Sequence, residues 1–234
     1  MHALAQVAHL DVSTNLPPDT LRGRLNDELP ADINILAAEV VPHRFHARHD
    51  AVARRYLYQI ARRRTAFAKA YVWWVKEPIV VDRMREAARS FVGMKDFESF
   101  AAGARGPRDS PESKALGAGP RRREESGVER STLVLVDRLD IAEEGDLVLV
   151  AIEGSHFLWK MVRRIVGVLV EIGRGGLEPA SAATFIAESS VAPARLTAPA
   201  SGLFLERVYY RQDARASSLR AATPIGPCAT SQAG

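Results

Sequence analysis

"HFLWKMVRRIVGVLVEIG", residues 156–173, carries more structural information than any other stretch of this 234-residue chain. Phe157, Met161, Ile165 and Leu169 recur every four residues, and Leu158, Val162, Val166 and Val170 form a second row beside them. Two such rows predict a helix over 156–173 with a wide apolar stripe facing a core. Lys160, Arg163, Arg164, Gly167 and Glu171 fall on the opposite side. Two adjacent arginines therefore stand one turn from a glycine, where a second backbone or a ligand can come close. On periodicity alone the same face also reads as a solvated charged surface.

The elements around this helix alternate in kind. "AVARRYLYQIA" (51–61) predicts a strand with Arg54, Tyr56, Tyr58 and Ile60 on one face, because strand side chains alternate. "MHALAQVAHLDV" (1–12) and "INILAAEVV" (33–41) read as strands, and "PPDTLRGRLNDELP" (17–30) as a short helix with Asp19 as N-cap. "VDRMREAARSFVG" (81–93) predicts a helix opened by Asp82 and closed by Gly93. Strands follow at about 131–140 and 146–153, then a helix at 179–189 and a closing strand, "GLFLERVYY" (202–210). Strands grouped between helices, without regular βαβ alternation, indicate an α+β fold with a mostly antiparallel sheet. Residues 101–130 are rich in glycine, proline and charge and read as a disordered insertion. Residues 211–234 read as a disordered tail, with a first half ending near residue 60 and a second spanning 61–210.

Composition narrows the classes. Of 32 basic residues only five are lysine, at 69, 76, 95, 114 and 160; the rest are arginine, paired or tripled at 54–55, 62–64, 121–123 and 163–164. Arginine forks suit phosphate, so a nucleic-acid partner fits, although a GC-rich genome also raises arginine counts. The single cysteine, Cys228, excludes an intrachain disulfide and a cysteine-based metal cluster. No apolar stretch is long enough to span a membrane and no signal-like start is present, which points to the cytoplasm.

Two further stretches suggest chemistry. In "FHARHDAVARRYLY" (45–58), Arg54 and Tyr56 neighbour each other on one strand face, a cation for phosphate beside a ring for a base. The plainer alternative is a tyrosine packed on a sheet with arginine over its edge. His43, His46 and His49 recur every third residue, but an arginine-bearing loop makes a poor metal site, and no metal is expected. Trp73 and Trp74 point to opposite strand faces, one of them into a core.

Four stretches taken together resemble the tRNA pseudouridine synthases of the TruA type. "FHARHDAVARRYLY" is similar to that family's F-x-A-R-x-x-A-x-x-R-x-Y-x-Y, and "DFESF" (96–100) to its D-F-x-S-F. "FLWKMVRRIVGVLVEIGRG" (157–175) resembles F-L-x-x-M-V-R-x-I-V-G, and "TAPASGLFL" (197–205) resembles A-P-x-x-G-L-x-L. Order and spacing fit from residue 1 to about 210. The resemblance implies ferredoxin-like halves joined by a continuous sheet, a homodimer, and isomerisation of uridines 38–40 in the tRNA anticodon stem-loop, with no cofactor. It implies that Tyr56 stacks on the flipped uracil and that Arg163 pairs with a catalytic aspartate. Arg48, Arg54, Arg55, Lys160 and Arg164 are then candidates for tRNA contacts.

"MHALAQVAHL" (1–10) is similar to the end of the family's first motif, G-R-T-D-x-G-V-H-A, and the strand after it, with Met1 at the valine position. The resemblance therefore puts the aspartate three residues ahead of Met1, and the first strand and helix with it. A start codon assigned too late is the expected cause. The rival readings are an inactive tRNA-binding protein and an unstable fragment. In-frame codons ahead of Met1 are expected to encode G-R-T-D-x-G, with GTG as codon 1, and sequencing the upstream DNA checks this. An in-frame stop immediately upstream would exclude the late-start explanation.

Overall fold

The computed structural model describes residues 1–103, 131–215 and 218–225. In chain order the elements are β1 (His2–Ala3), α1 (Pro18–Glu28), β2 (Ala53–Ala61), β3 (Trp73–Trp74), α2 (Val81–Ala88), β4 (Gly93–Asp96), β5 (Leu133–Glu144), β6 (Leu147–Gly154), α3 (Met161–Gly173), α4 (Ser181–Ala187), α5 (Ala192–Arg195) and β7 (Leu203–Tyr209). Short 3₁₀ turns cover Arg89–Phe91 and Glu98–Phe100. Two compact units result: Val7–Ala51, and Met1–Gln6 together with Val52–Gly234.

The larger unit is built on one sheet, ordered β1-β7-β2-β6-β5-β4 with β3 beside β2. Pairing is antiparallel except for the two short contacts β1–β7 and β2–β3. This is the α+β arrangement that the grouping of strands predicts. Every residue of β6 is buried. Val148, Val150 and Ile152 face a core shared with Met84, Phe91, Phe97, Phe100, Ile165, Val166 and Leu169. Leu147 and Leu149 face a second cluster with Leu57, Ala61, Val72, Phe204 and Ile225. Cover on both sides explains why β6 reads as an unbroken apolar run.

Several expectations need correction. Of the strand expected over 1–12 only His2–Ala3 pairs, against Phe204 and Leu205. Residues 33–41 form no strand; a strand exists only with a ladder partner, and none lies alongside among the described residues. Instead the Asn26 side chain brackets the Ile35 backbone, accepting from its N–H at 2.7 Å and donating to its C=O at 3.0 Å. Pro17 and Val80, not Asp19 and Asp82, occupy the N-cap positions of α1 and α2. The insertion expected at 101–130 lies outside the described residues from 104 onward.

The tail is the largest correction. Residues 218–225 are packed on the second sheet face, where Ile225 joins the apolar cluster. A buried polar residue holds them there. Gln59, fully enclosed in β2, accepts from the N–H groups of Ala222 (2.7 Å) and Thr223 (3.2 Å). Its amide donates to the Tyr71 carbonyl (3.0 Å) and the Thr223 hydroxyl (2.8 Å). Polar composition hides such a segment, because it is fixed by backbone hydrogen bonds rather than by its own apolar period. Gln59→Leu is expected to cost about 2 kcal/mol, the scale of a buried polar cluster left without partners. Urea unfolding measures that loss, and faster tryptic cleavage after Arg220 reports release of the segment.

Candidate active site

Strand β2 carries Tyr56 and Tyr58 to the helical face of the sheet. Tyr56 is half-buried and meets the Phe157 ring edge-on, with centroids 5.1 Å apart and planes at 85°. Burial pushes its phenol pKa up, and the nearby Arg54 charge opposes that shift. Tyr58 is fully buried, and its hydroxyl donates to the Pro199 carbonyl at 2.7 Å. Burial raises its pKa strongly, with the Arg163 charge acting the other way. The two tyrosines thus differ in role: one presents a ring at a margin, the other anchors a loop.

That loop, residues 196–200, lies against α3. Arg163 donates from Nε to the Ala198 carbonyl at 2.6 Å, and the Ala198 N–H donates to the Arg163 carbonyl at 3.0 Å. Gly167 explains the closeness: a Cβ there would stand 1.6 Å from the Leu196 carbonyl oxygen. The glycine beside the arginines therefore admits a second backbone. Arg163 is half-buried, and among the described residues no carboxylate pairs with it. The site so far comprises a half-buried aromatic ring on β2 and a guanidinium on α3 tethered to the 196–200 loop.

The remaining predicted residues separate. Arg54 is half-buried and donates from Nη1 to the Ser155 carbonyl at 2.8 Å. Arg55 is a correction: it is only 1% exposed and lies on the other sheet face, with Nε on Glu206 at 2.7 Å and Nη2 on the Ser218 carbonyl at 3.0 Å. A side chain so enclosed and neutralised is not offered to phosphate. A bulge between Arg55 and Tyr56 leaves Glu206 without a ladder partner, in keeping with the re-aiming of side chains at such irregularities. Arg164 also turns inward, with Nη1 on the Ser99 carbonyl at 3.3 Å and Nε buried without a partner among the described residues. Burial lowers its pKa. The reading of this helix face as solvated therefore fails at Arg163, Arg164 and Gly167.

Lys160 is exposed and precedes α3, which begins at Met161 instead of at 156. Phe157 and Leu158 lie in the turn before the helix, packed against the core. Helical periodicity continues through that turn, which is why the sequence extends the helix too far. Arg48 belongs to the separate unit, exposed in the turn His46–Asp50. There His46 Nδ1 accepts from the N–H groups of Arg48 (3.2 Å) and His49 (3.3 Å), so this histidine organises a turn. Among the described residues no group of three His, Cys, Asp or Glu is arranged to hold a metal ion. No helix among them is long and apolar enough to cross a membrane.

A family model described as tRNA pseudouridine synthase matches residues 87–211, which contain "DFESF", α3 and the loop at 196–200. The chain is 36% identical over 213 residues to tRNA pseudouridine synthase A of Rhodopseudomonas palustris, covering 90% of this chain and 78% of the relative. It is 34% identical over 212 residues to tRNA pseudouridine synthase A of Geobacter sulfurreducens, with the same shares covered. It is 34% identical over 214 residues to tRNA pseudouridine synthase A of Anaplasma marginale, again over 90% and 78%.

The Tyr58 anchor is testable through pH. Its proton is held more tightly in the folded protein than in the unfolded chain, whose value is the ordinary 10.0. Its contribution to stability is therefore intact below pH 10 and is lost as pH rises through the higher folded value. Tyr58→Phe is expected to cost about 1–2 kcal/mol at pH 7 by leaving the Pro199 carbonyl unpaired. It should also flatten, without abolishing, the fall in stability above pH 10, since Tyr56 shifts in the same direction. Urea unfolding across pH 7–11 checks both outcomes.

Proposed function

Because the chain belongs to the tRNA pseudouridine synthase family, we propose that it isomerises uridine to pseudouridine in the tRNA anticodon stem-loop, at positions 38 to 40. The family makes it an isomerase, and its chemistry consumes nothing. The bond from ribose C1′ to uracil N1 breaks, the base turns, and C1′ bonds to C5. The C5 proton is then lost and N1 regains one. A carboxylate acts at C1′ or C2′, as nucleophile or as base. The uridine must first leave its stack.

Tyr56 takes the extruded uracil on its ring, braced by Phe157, and its hydroxyl assists the late proton transfer from C5. Arg163 pairs with the reacting carboxylate and keeps it ionised. One observation carries this reading: a half-buried guanidinium tethered through Nε to the Ala198 carbonyl, with no carboxylate paired to it among the described residues. A guanidinium removed from water is stabilised by an anion in fork geometry, which favours a carboxylate arriving there. Arg54, Lys160 and Arg48 are proposed to contact the tRNA backbone. The same reading has the protein act in the cytoplasm as a homodimer.

Deleting the gene should remove pseudouridine from positions 38–40, and restoring it with its own upstream DNA should return it. Arg163→Leu should fail to restore it. Tyr56→Phe keeps the ring and should retain tRNA binding while lowering turnover about a hundredfold, the low end of a general acid–base contribution. Pseudouridine mapping of the tRNA reads all three. Unchanged modification in the deletion strain would overturn the reading. Full rescue by Arg163→Leu would remove Arg163 from the chemistry.

A further inference from the structure

We propose that Trp159 is a stacking platform for an unpaired tRNA base beside the target uridine, with Lys160 placed for that nucleotide's phosphate. The proposal rests on the tRNA reading above. Trp159 is 70% exposed, although an indole gains most from burial. Its exposure does not come from a loose loop. The Ser155 N–H donates to the Leu135 carbonyl at 2.9 Å, and the Met161 N–H to the Leu158 carbonyl at 3.0 Å. The Trp159 carbonyl itself accepts from the Ala102 N–H at 2.9 Å. Phe157 and Leu158, the residues just before it, are packed against the core. The turn is fixed and the indole is held outside it.

The next residue adds a second observation. Lys160 has φ 63°, and it is the sole non-glycine residue with positive φ among the described residues. Side chains adopt that region at an energetic cost, and such positions gather at functional sites. Its ammonium lies 4.9 Å from the centre of the Trp159 ring. An indole beside a cation matches the two parts of a nucleotide, a base with a π-face and an anionic phosphate. The surroundings are polar and basic: His156 is exposed in the same turn, and Arg54 is bonded to Ser155. That favours a polyanion over an apolar protein surface. The location also fits the chemistry. Phe157, two residues away, abuts Tyr56. Extruding the uridine deprives its neighbour of a stacking partner, and an indole at this margin replaces it.

The test uses the 234-residue chain and an unmodified tRNA transcript. Trp73 and Trp74 are half-buried in β3, which leaves Trp159 as the exposed emitter. Bound tRNA should quench the emission, and Trp159→Phe should lose most of that quench while keeping Kd within about threefold. Trp159→Ala should raise Kd about 5- to 100-fold, the span of one lost base–aromatic stack. Lys160→Ala should lower the slope of log affinity against log salt by about one. Thermal melting of each variant confirms that the fold is kept. No tRNA binding by the chain, an unchanged Kd in Trp159→Ala, or no quench would overturn the proposal. So would a Trp159→Ala effect on self-association alone, which would assign the indole to a protein contact. Trp159-dependent binding together with unchanged pseudouridine at positions 38–40 in the deletion strain would reject the isomerase reading and leave this one standing. Pseudouridine formation with an unchanged Trp159→Ala Kd would do the reverse.

Discussion

The approach of the Leu196 carbonyl to Gly167 governs how α3, the 196–200 loop and β2 come together. No residue with a Cβ permits it, since that atom would lie 1.6 Å from the oxygen. Because the backbones meet there, Ala198 reaches the Arg163 carbonyl and accepts from the Arg163 Nε. Because the loop then continues at that height, the Pro199 carbonyl stands over β2 within reach of the Tyr58 hydroxyl. One missing methyl group thus joins a helix, a loop and the central strand into a single rigid frame. An added side chain would push at backbone rather than at a flexible tip, and such overpacking costs about 1–3 kcal/mol or more.

Covering the sheet on both faces sorts residues that look alike in sequence. Arg54 and Arg55 are neighbours, yet period two sends them to opposite sides. Arg54 stays at the margin of the helical face, bonded to Ser155. Arg55 enters the far side, where Glu206 and the Ser218 carbonyl satisfy it. Nearby, Glu153 accepts from Arg215 at 2.9 Å. An enclosed pair such as Arg55–Glu206 adds little net stability, but losing Glu206 strands the buried guanidinium at a cost of about 3–5 kcal/mol. Arg215, by contrast, is exposed, and its pairing with Glu153 is screened by water. These contacts fix where the C-terminal segment lies, and with Gln59 they make residues 218–225 part of the core's cover.

What the sequence reveals follows from how local the cause is. The β2 alternation, the β5–β6 hairpin and the apolar rows of α3 are each set by residues within a few positions, and each is legible with small errors at the ends. Tyr56 and Arg163 are legible as a pair only through motif resemblance, because one comes from β2 and the other from α3. Gly167 is half legible: the gap can be seen, but not whether a ligand or a backbone fills it. The inward turn of Arg164 and the burial of Arg55 are not legible, since charge alone sends both to water. Residues 218–225 fail for the same reason in reverse. Their composition is polar, and the residue that binds them, Gln59, lies more than 150 positions away.

The way Arg163 is tethered also limits how an anion can meet it. A guanidinium offers a carboxylate two forked approaches, one from its end through both Nη atoms and one from its side through Nε and an Nη. The Ala198 carbonyl occupies Nε at 2.6 Å. That tether disfavours the side-on approach, so the proposed pairing of Arg163 with a carboxylate calls for the end-on one. A carbonyl is neutral, so the tether orients the guanidinium without cancelling its charge. On the proposed reading, that uncancelled charge would meet an anion in half-buried surroundings, where the attraction is stronger than at the surface. Lysine could supply the charge at this position but not the division of labour, because an ammonium has no separate donor fixed in plane to spend on the loop.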